Sequence, residues 1–265
     1  MPQLTVVGSA NVDLVAKVQR LPRAGETLTA TSFERIPGGK GANQAVAAAR
    51  LGADVRFVCS VGHDATADEA LGNLREVDLA AHRVNAPTGI AMILVDGRGE
   101  NQIVIVPGAN AELRDVRVDG SVLCQLEIPD EAIAAARAGA QWLCVNAAPA
   151  RALPVSADLV VANRYELDEI GEQPGLVAVT LGAEGAVLYD AGREVVRARP
   201  PHVDVVDGTA AGDAFTACLV VAHLEERDWE DALRRACAAG AIAASRFGAQ
   251  PSLPTADEVE AILRA

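Results

Sequence analysis

The chain has 265 residues, enough for one sizeable core and too few for several large domains. Half of it is hydrophobic yet only 3% is aromatic, so the apolar mass is Ala, Val, Leu and Ile. The net charge is −13, and Lys17 and Lys40 are the only lysines among 23 basic residues. Nucleic acid and anionic membrane surfaces both demand clustered positive charge, so neither is an expected partner.

In chain order, a buried strand is predicted at 4–8 and a helix at 41–51, stopped by Gly52. A strand at 55–61 and a helix at 67–77 follow. Residues 90–96 and 102–107 read as a hairpin turning at Gly97, Arg98 and Gly99. Next come a strand at 121–126, a helix at 130–138, strands at 142–146 and 159–162, and a helix at 164–170. Strands at 177–181, 185–189 and 194–197 lead into a helical last third at 212–225, 229–246 and 256–263. The last helix opens with Thr255 and Glu258, a capping box.

Strands apolar on both faces, interleaved with helices, predict a three-layer α/β/α fold around a mostly parallel sheet. Residues 13–36 alternate apolar and polar (Leu14, Ala16, Val18), and 88–106 form the hairpin. These two stretches predict a small β-sheet lid on a single domain spanning 1–265. Cys59, Cys124, Cys144, Cys218 and Cys237 are odd in number and nowhere C-x-x-C, so reduced, buried thiols in a cytoplasmic protein are expected. No apolar run reaches the roughly 18 residues of a membrane span, and the N-terminal segment lacks the pattern of a signal peptide.

Five segments carry chemistry. Gly38-Gly39-Lys40-Gly41-Ala42-Asn43-Gln44 opens a helix, where glycines let the backbone approach a ligand and free N–H groups face outward. It is no Walker A loop, because Gly41 follows the lysine. Asn43 and Gln44 favour a polar small-molecule site over a plain glycine turn. Asn11 and Asp13 follow the first strand, where α/β sheets bind ligands and where turns also favour such residues. In Ala210-Ala211-Gly212-Asp213, small residues lead into an apolar helix with an acid in its first turn. That acid either complements the helix dipole or takes a proton from a nucleophile above an anion hole, a phosphoryl-transfer arrangement. An acid at such a terminus should be ionised at neutral pH. Asn163 and Glu166 read as a helix start or as partners of hydrated Mg²⁺. Thr180-Leu181-Gly182-Ala183-Glu184-Gly185 reads as a hairpin or a nucleotide contact.

Taken together and in this order, the segments resemble the PfkB-type carbohydrate kinases. The resemblance rests on GSANVD at 8–13, AGETLTA at 24–30, GGKGANQAVAAARLGA at 38–53 and TGIAMILVDGRGEN at 88–101. It continues through PGAN at 107–110, QLEIP at 125–129, NAAPAR at 146–151 and NRYE at 163–166. TLGAEGA at 180–186, AAGD at 210–213 and GAQPSLP at 248–254 complete it, so it covers nearly the whole chain.

The resemblance implies an ATP-dependent sugar kinase, nearest to members that phosphorylate D-ribose at its 5-hydroxyl. The alternatives are another sugar or a nucleoside such as adenosine or pseudouridine, or a non-catalytic sugar-binding relative. It implies Asp213 as general base beside an anion hole at Ala210, Ala211 and Gly212. It implies sugar contacts from Asn11, Asp13, Gly39, Lys40, Gly41, Ala42, Asn43 and Glu127. Nucleotide contacts fall to Asn163, Thr180, Leu181, Gly182, Ala183, Glu184, Gly185, Gly212 and Cys237. Asn163 and Glu166 would organise Mg²⁺. Asp207, Thr209, Ala243, Arg246, Gly248 and Ser252 would hold an activating K⁺. The lid would also form a homodimer contact.

The chain departs from the family pattern at Ala24 and Ala162 (usually Pro), Gly208 (usually Thr) and Cys237 (often His or Asn). Segments 110–122 and 166–177 are short, which predicts an exposed patch of sheet or of the adenine side. The low aromatic content predicts an adenine pocket walled by aliphatic side chains and Cys237 without stacked rings.

Overall fold

A computed structural model describes residues 1–98, 101–171, 173 and 175–264. The described strands are β1 (Gln3–Val7), β2 (Asn11–Lys17), β3 (Ser32–Gly38), β4 (Asp54–Gly62), β5 (Asp78–Val84), β6 (Gly89–Val95) and β7 (Asn101–Val106). They continue with β8 (Ser121–Gln125), β9 (Trp142–Asn146), β10 (Leu159–Asn163), β11 (Leu176–Thr180), β12 (Ala186–Asp190) and β13 (Arg193–Ala198). The helices are α1 (Lys40–Arg50), α2 (Ala65–Ala70), α3 (Asp130–Gly139), α4 (Arg164–Ile170), α5 (Ala211–Leu224), α6 (Trp229–Ala244) and α7 (Ala256–Arg264).

The main sheet runs β13-β12-β11-β10-β9-β8-β1-β4-β5, parallel from β5 through β11, with β12 and β13 antiparallel at one edge. Strand alternation sends Leu4, Val6, Phe57 and Leu123 to one face and Val7, Val58, Val122 and Cys124 to the other. Both faces are covered, which is why these strands read as continuous apolar runs. On the first face lie α1, α5 and α6; α3 and Ile170 of α4 cover the second. Helix α5 is apolar all round and buried from Asp213 to Ala222, as a helix enclosed on every side must be. The three-layer α/β/α expectation therefore holds.

Two elements differ from the sequence reading. The helix expected at 67–77 is only α2, which ends before Gly72 and Asn73, and residues 71–76 are turns. Residues 78–84 form the edge strand β5, whose mixed exposure leaves no alternation to detect. The short segment 110–122 does not bare the sheet, because Leu113 and Val116 fill the second cluster. Beyond segment 166–177, Ile170 packs with Val177 and Val179. Exposed apolar side chains include Val195, Val205 and Val206.

A second sheet runs β3-β2-β6-β7, with β2 parallel to β6 and its other pairs antiparallel. Its inner face carries Val15, Ile36, Ala91 and Ile93, packed with Phe247. Lys17 places its ammonium 3.7 Å from the Phe247 ring centroid. The hairpin turn expected between β6 and β7 reaches Gly99, which lies outside the described residues.

Candidate active site

Beyond the C-terminal end of β1, the chain bends through Gly8, Ser9 and Ala10 and meets the first turn of α1. Ala42 N donates to Ser9 O at 2.9 Å and Gly41 N to Ser9 Oγ at 3.3 Å. A Cβ on Gly41 would strike the Gly8–Ser9 backbone, so only glycine permits this crossing. Gly39 has φ 88°, the left-handed region that turns the chain into the helix.

Between this crossing and the inner face of the small sheet lies a cavity of about 320 Å³. Asn11, Asp13, Gly39, Lys40, Asn43 and Glu127 line it from one side. Thr209, Ala210, Gly212 and Asp213 line it from α5, and Asn163, Glu166 and Thr180 from the ends of β10 and β11. Gly41 and Ala42 are buried against the Ser9 crossing instead.

Glu127 and Asn11 are held from behind. Ser9 Oγ donates to Glu127 Oε2 at 2.5 Å, and Lys40 N donates to the same oxygen at 3.1 Å. Asn110 Nδ2 donates to Asn11 Oδ1 at 2.7 Å, while Ala10 N donates to Asn110 Oδ1 at 2.9 Å. The buried Asp13 carboxylate accepts no hydrogen bond among the described residues, leaving both oxygens for a ligand. The Asn43 Oδ1 is likewise buried and unpartnered.

Asp213 lies in the first turn of α5, behind Ala210 in the left-handed region (φ 60°, ψ 6°). Ala211 N donates to Gly208 O at 3.3 Å, while Gly212 and Asp213 line the cavity. Asn43 Nδ2 donates to Asp213 Oδ2 at 2.9 Å and Gln44 Nε2 to Oδ1 at 2.8 Å.

The acids crowd one another. Burial, then Glu127 and Asp213, push the Asp13 carboxyl up to about 7. Burial also raises Asp213, against the opposing pull of Lys40, Gln44 and Asn43. The Asp213 carboxylate therefore holds a proton more tightly than the readily ionised helix-terminus acid expected from sequence. Burial raises Glu166 as well, opposed by the Asn163 amide and Lys40. Burial pushes the Lys40 ammonium down, but Asp213, Glu127, Glu166 and Asp13 outweigh it and hold it above its ordinary value.

Asn163 and Glu166 form a complete capping box: Asn163 Oδ1 accepts from Tyr165 N and Glu166 N, and Glu166 Oε2 accepts from Asn163 N at 2.7 Å. The helix-start reading and the cavity-wall placement both apply. A second, largely apolar cavity of about 500 Å³ adjoins the first, sharing Thr180, Gly208 and Gly212. Gly182, Ala183, Gly185, Ala211 and Cys237 also line it; Leu181 and Glu184 line neither cavity. Glu184 pairs instead with Arg164 at 2.7 Å. Burial pushes the Cys237 thiol up to about 12, so this wall is neutral. Phe215 and His202 line the cavity too, which corrects the expectation of a ring-free pocket. Phe215 faces inward from the second turn of α5, a placement no local pattern reveals.

Asp207 ties two loops together: Oδ1 accepts from Thr209 N and Oγ1, and Oδ2 from Gly248 N at 2.9 Å. Asp207 N donates to Ala244 O, Arg246 N to Ala243 O, and Ser252 Oγ to Ala249 O. Sequence reasoning missed Ser9, Asn101, Asn146 and the apolar ceiling of Ala91, Ile93, Ile103 and Ile105. The available signal for that ceiling was the pair of apolar runs in β6 and β7.

The profile of the pfkB family of carbohydrate kinases matches residues 1–127 and 117–256. The ribokinase of Bacillus subtilis (strain 168) is 36% identical over 294 aligned residues, covering 99% of this chain and 100% of that protein. The solved ribokinase of Thermotoga maritima superposes with a TM-score of 0.89 at 34% identity, covering 100% of both chains. The Arabidopsis thaliana ribokinase solved with ribose and ATP gives a TM-score of 0.85 at 32% identity, covering 100% of this chain and 99% of that one. The chain belongs to the pfkB family of carbohydrate kinases, enzymes that move a phosphoryl group onto a sugar.

Proposed function

We propose that the chain is an ATP-dependent ribokinase, converting D-ribose and ATP to ribose 5-phosphate and ADP. The observation that carries this reading is Asp213, placed at the mouth of α5 and facing the cavity lined by Asn11, Asp13, Lys40 and Glu127. The ribokinases at about one-third identity over full length support the choice of sugar.

In this reading Asp13, Asn11, Asn43 and Glu127 hold the ribose hydroxyls. Asp213 takes the 5-hydroxyl proton as that oxygen attacks the γ-phosphorus. The amides of Gly212 and Asp213 would face the transferred group, and Lys40 balances the surrounding acids. Adenine occupies the apolar cavity beside Cys237 and Phe215. Among the described residues no group of three or more His, Cys, Asp or Glu is arranged to hold a metal. That fits magnesium, which keeps water and phosphate oxygens as ligands and needs few from protein. Asn163 and Glu166 stand where they would orient its water shell; the ion itself would neutralise phosphate charge. The loops joined by Asp207 fit a monovalent cation held by backbone carbonyls.

The outer face of the small sheet supports a homodimer through this lid: Phe33, Met92, Val104 and Val106 are all exposed there. Five buried free cysteines support a reducing, cytoplasmic setting.

The test is coupled ADP release over a pentose panel with adenosine and pseudouridine, each in potassium and in sodium-only buffer. Ribose should give the highest kcat/KM, and potassium should raise the rate. No turnover of ribose in either buffer removes the assignment.

A further inference from the structure

Behind the candidate base lies a chain of buried carboxamides, in which Asn146 borders the first cavity while Gln44 and Gln125 do not line it. Gln44 is fully buried, as is Gln125. Gln44 Nε2 donates to Asp213 Oδ1 at 2.8 Å and to Asn146 Oδ1 at 2.9 Å. Its Oε1 accepts from Gln125 Nε2 at 2.7 Å. Asn146 Nδ2 donates to Val161 O at 3.1 Å, which fixes its oxygen toward Gln44.

A carboxamide has two N–H donors and one acceptor oxygen, and all three groups of Gln44 are committed. Turning this amide over would set Oε1 against an Asp213 oxygen and Nε2 against the Gln125 donor. Oε1 would also face the Asn146 oxygen, so three favourable contacts would become repulsive ones among fully buried groups. The orientation is therefore locked by Gln125. Gln125 holds its own orientation at a cost, since its Oε1 is buried without a partner. Room for it comes from Gly8, where a Cβ would fall on the Gln125 carboxamide oxygen.

Asn43 and Gln44 divide the work at Asp213. Asn43 lines the cavity, and its Oδ1 is buried without a partner. Gln44 reaches the base from the protein side only. We propose that Gln44, locked by Gln125 and Asn146, is a positioning residue that fixes the Asp213 carboxylate and keeps it deprotonated in a fully buried site. A donor aimed at a carboxylate stabilises its charged form and opposes burial. The inference rests on Asp213 acting as the base in the proposed kinase reaction.

The test compares kcat–pH profiles of the wild type, Gln44→Met and Gln125→Met, using the sugar that turns over. Methionine keeps length and apolar volume and removes the donor. Loss of one donor should move the acidic limb of the Gln44→Met profile upward by about one pH unit. At pH values below the limb that lowers kcat by about tenfold, and the loss vanishes as pH rises past it. Gln125→Met leaves every direct Asp213 contact in place and should shift the limb in the same direction by less. If Gln44→Met does not fold, as judged by thermal unfolding, the Gln125→Met profile decides the matter alone. A drop in kcat equal at all pH values, with the limb unmoved, marks a merely structural role and overturns the proposal. A wild-type profile with no acidic limb overturns the base reading together with it, so the two failures are distinguishable.

Discussion

Asn43 Nδ2 stands 2.9 Å from Asp213 Oδ2, joining residues 170 positions apart at the point where α1 passes α5. The glycine-rich start of α1 and the candidate base are thus parts of one hydrogen-bonded assembly. Replacing Asp213 by Asn keeps the shape and most of the packing but removes the proton acceptor. Turnover should fall by about 10²–10⁴-fold. Calorimetry should still find sugar binding, and a variant that retains kcat takes Asp213 out of the base role.

Asp13 gives a pH signature of its own. Its carboxyl is pushed up to about 7, so below that pH it carries a proton and accepts fewer hydroxyl hydrogen bonds. KM for the sugar should rise as pH falls through 7. Stability moves oppositely. The unfolded chain releases this proton near 3.8, while the folded chain holds it until about 7. Across that window the folded state binds more protons, so stability declines as pH rises. Asp13→Asn should therefore melt above the wild type at pH 8, with the gap narrowing toward pH 4. Equal melting temperatures at pH 8 contradict this account.

Gly38 leaves space for that same acid, since a Cβ there would fall on the Asp13 carboxylate. Gly38→Ala must push the carboxylate from its place or shift β3. Sugar KM should rise by at least about tenfold, as when one hydrogen bond to a charged group is lost. ATP KM, set in the neighbouring cavity, should stay near the wild-type value. A proportional change in both constants points to general unfolding instead.

The outward residues of the small sheet provide a separate test. Val104→Glu places a charge in the exposed apolar face shared with Met92 and Phe33. Sedimentation should show the wild type as a dimer and the variant as a monomer. A wild type that is monomeric at micromolar concentration removes the proposed lid contact.

Much of this was legible in the sequence where signals were local. The parallel core showed itself because strands such as β1 and β10 are apolar on both faces. The lid strands showed themselves through alternation at Leu14 and Ala16. Edge strand β5 was hidden, since Leu79, Ala80 and His82 follow no period. At the site, glycines and acids were visible but their pairings were not. Gln44 reads as one more polar residue after Asn43, and only the fold reveals that it turns from the cavity to meet Gln125 and Asp213. Burial likewise has no local signature at Asp213, so the direction of its shift emerged only with α1 and Lys40 packed around it.

The pairing of α1 with α5 also has a consequence during synthesis. Of the proposed sugar contacts, Asn11, Asp13 and Asn43 are made in the first fifth of the chain and Glu127 near its middle, but the carboxylate that Asn43 meets is added only after residue 212. A nascent chain can shape its sugar loop early and still possess no means of activating a hydroxyl. Catalytic competence therefore arrives late, when α5 threads between α1 and α6, and an abandoned, truncated product would spend no nucleotide.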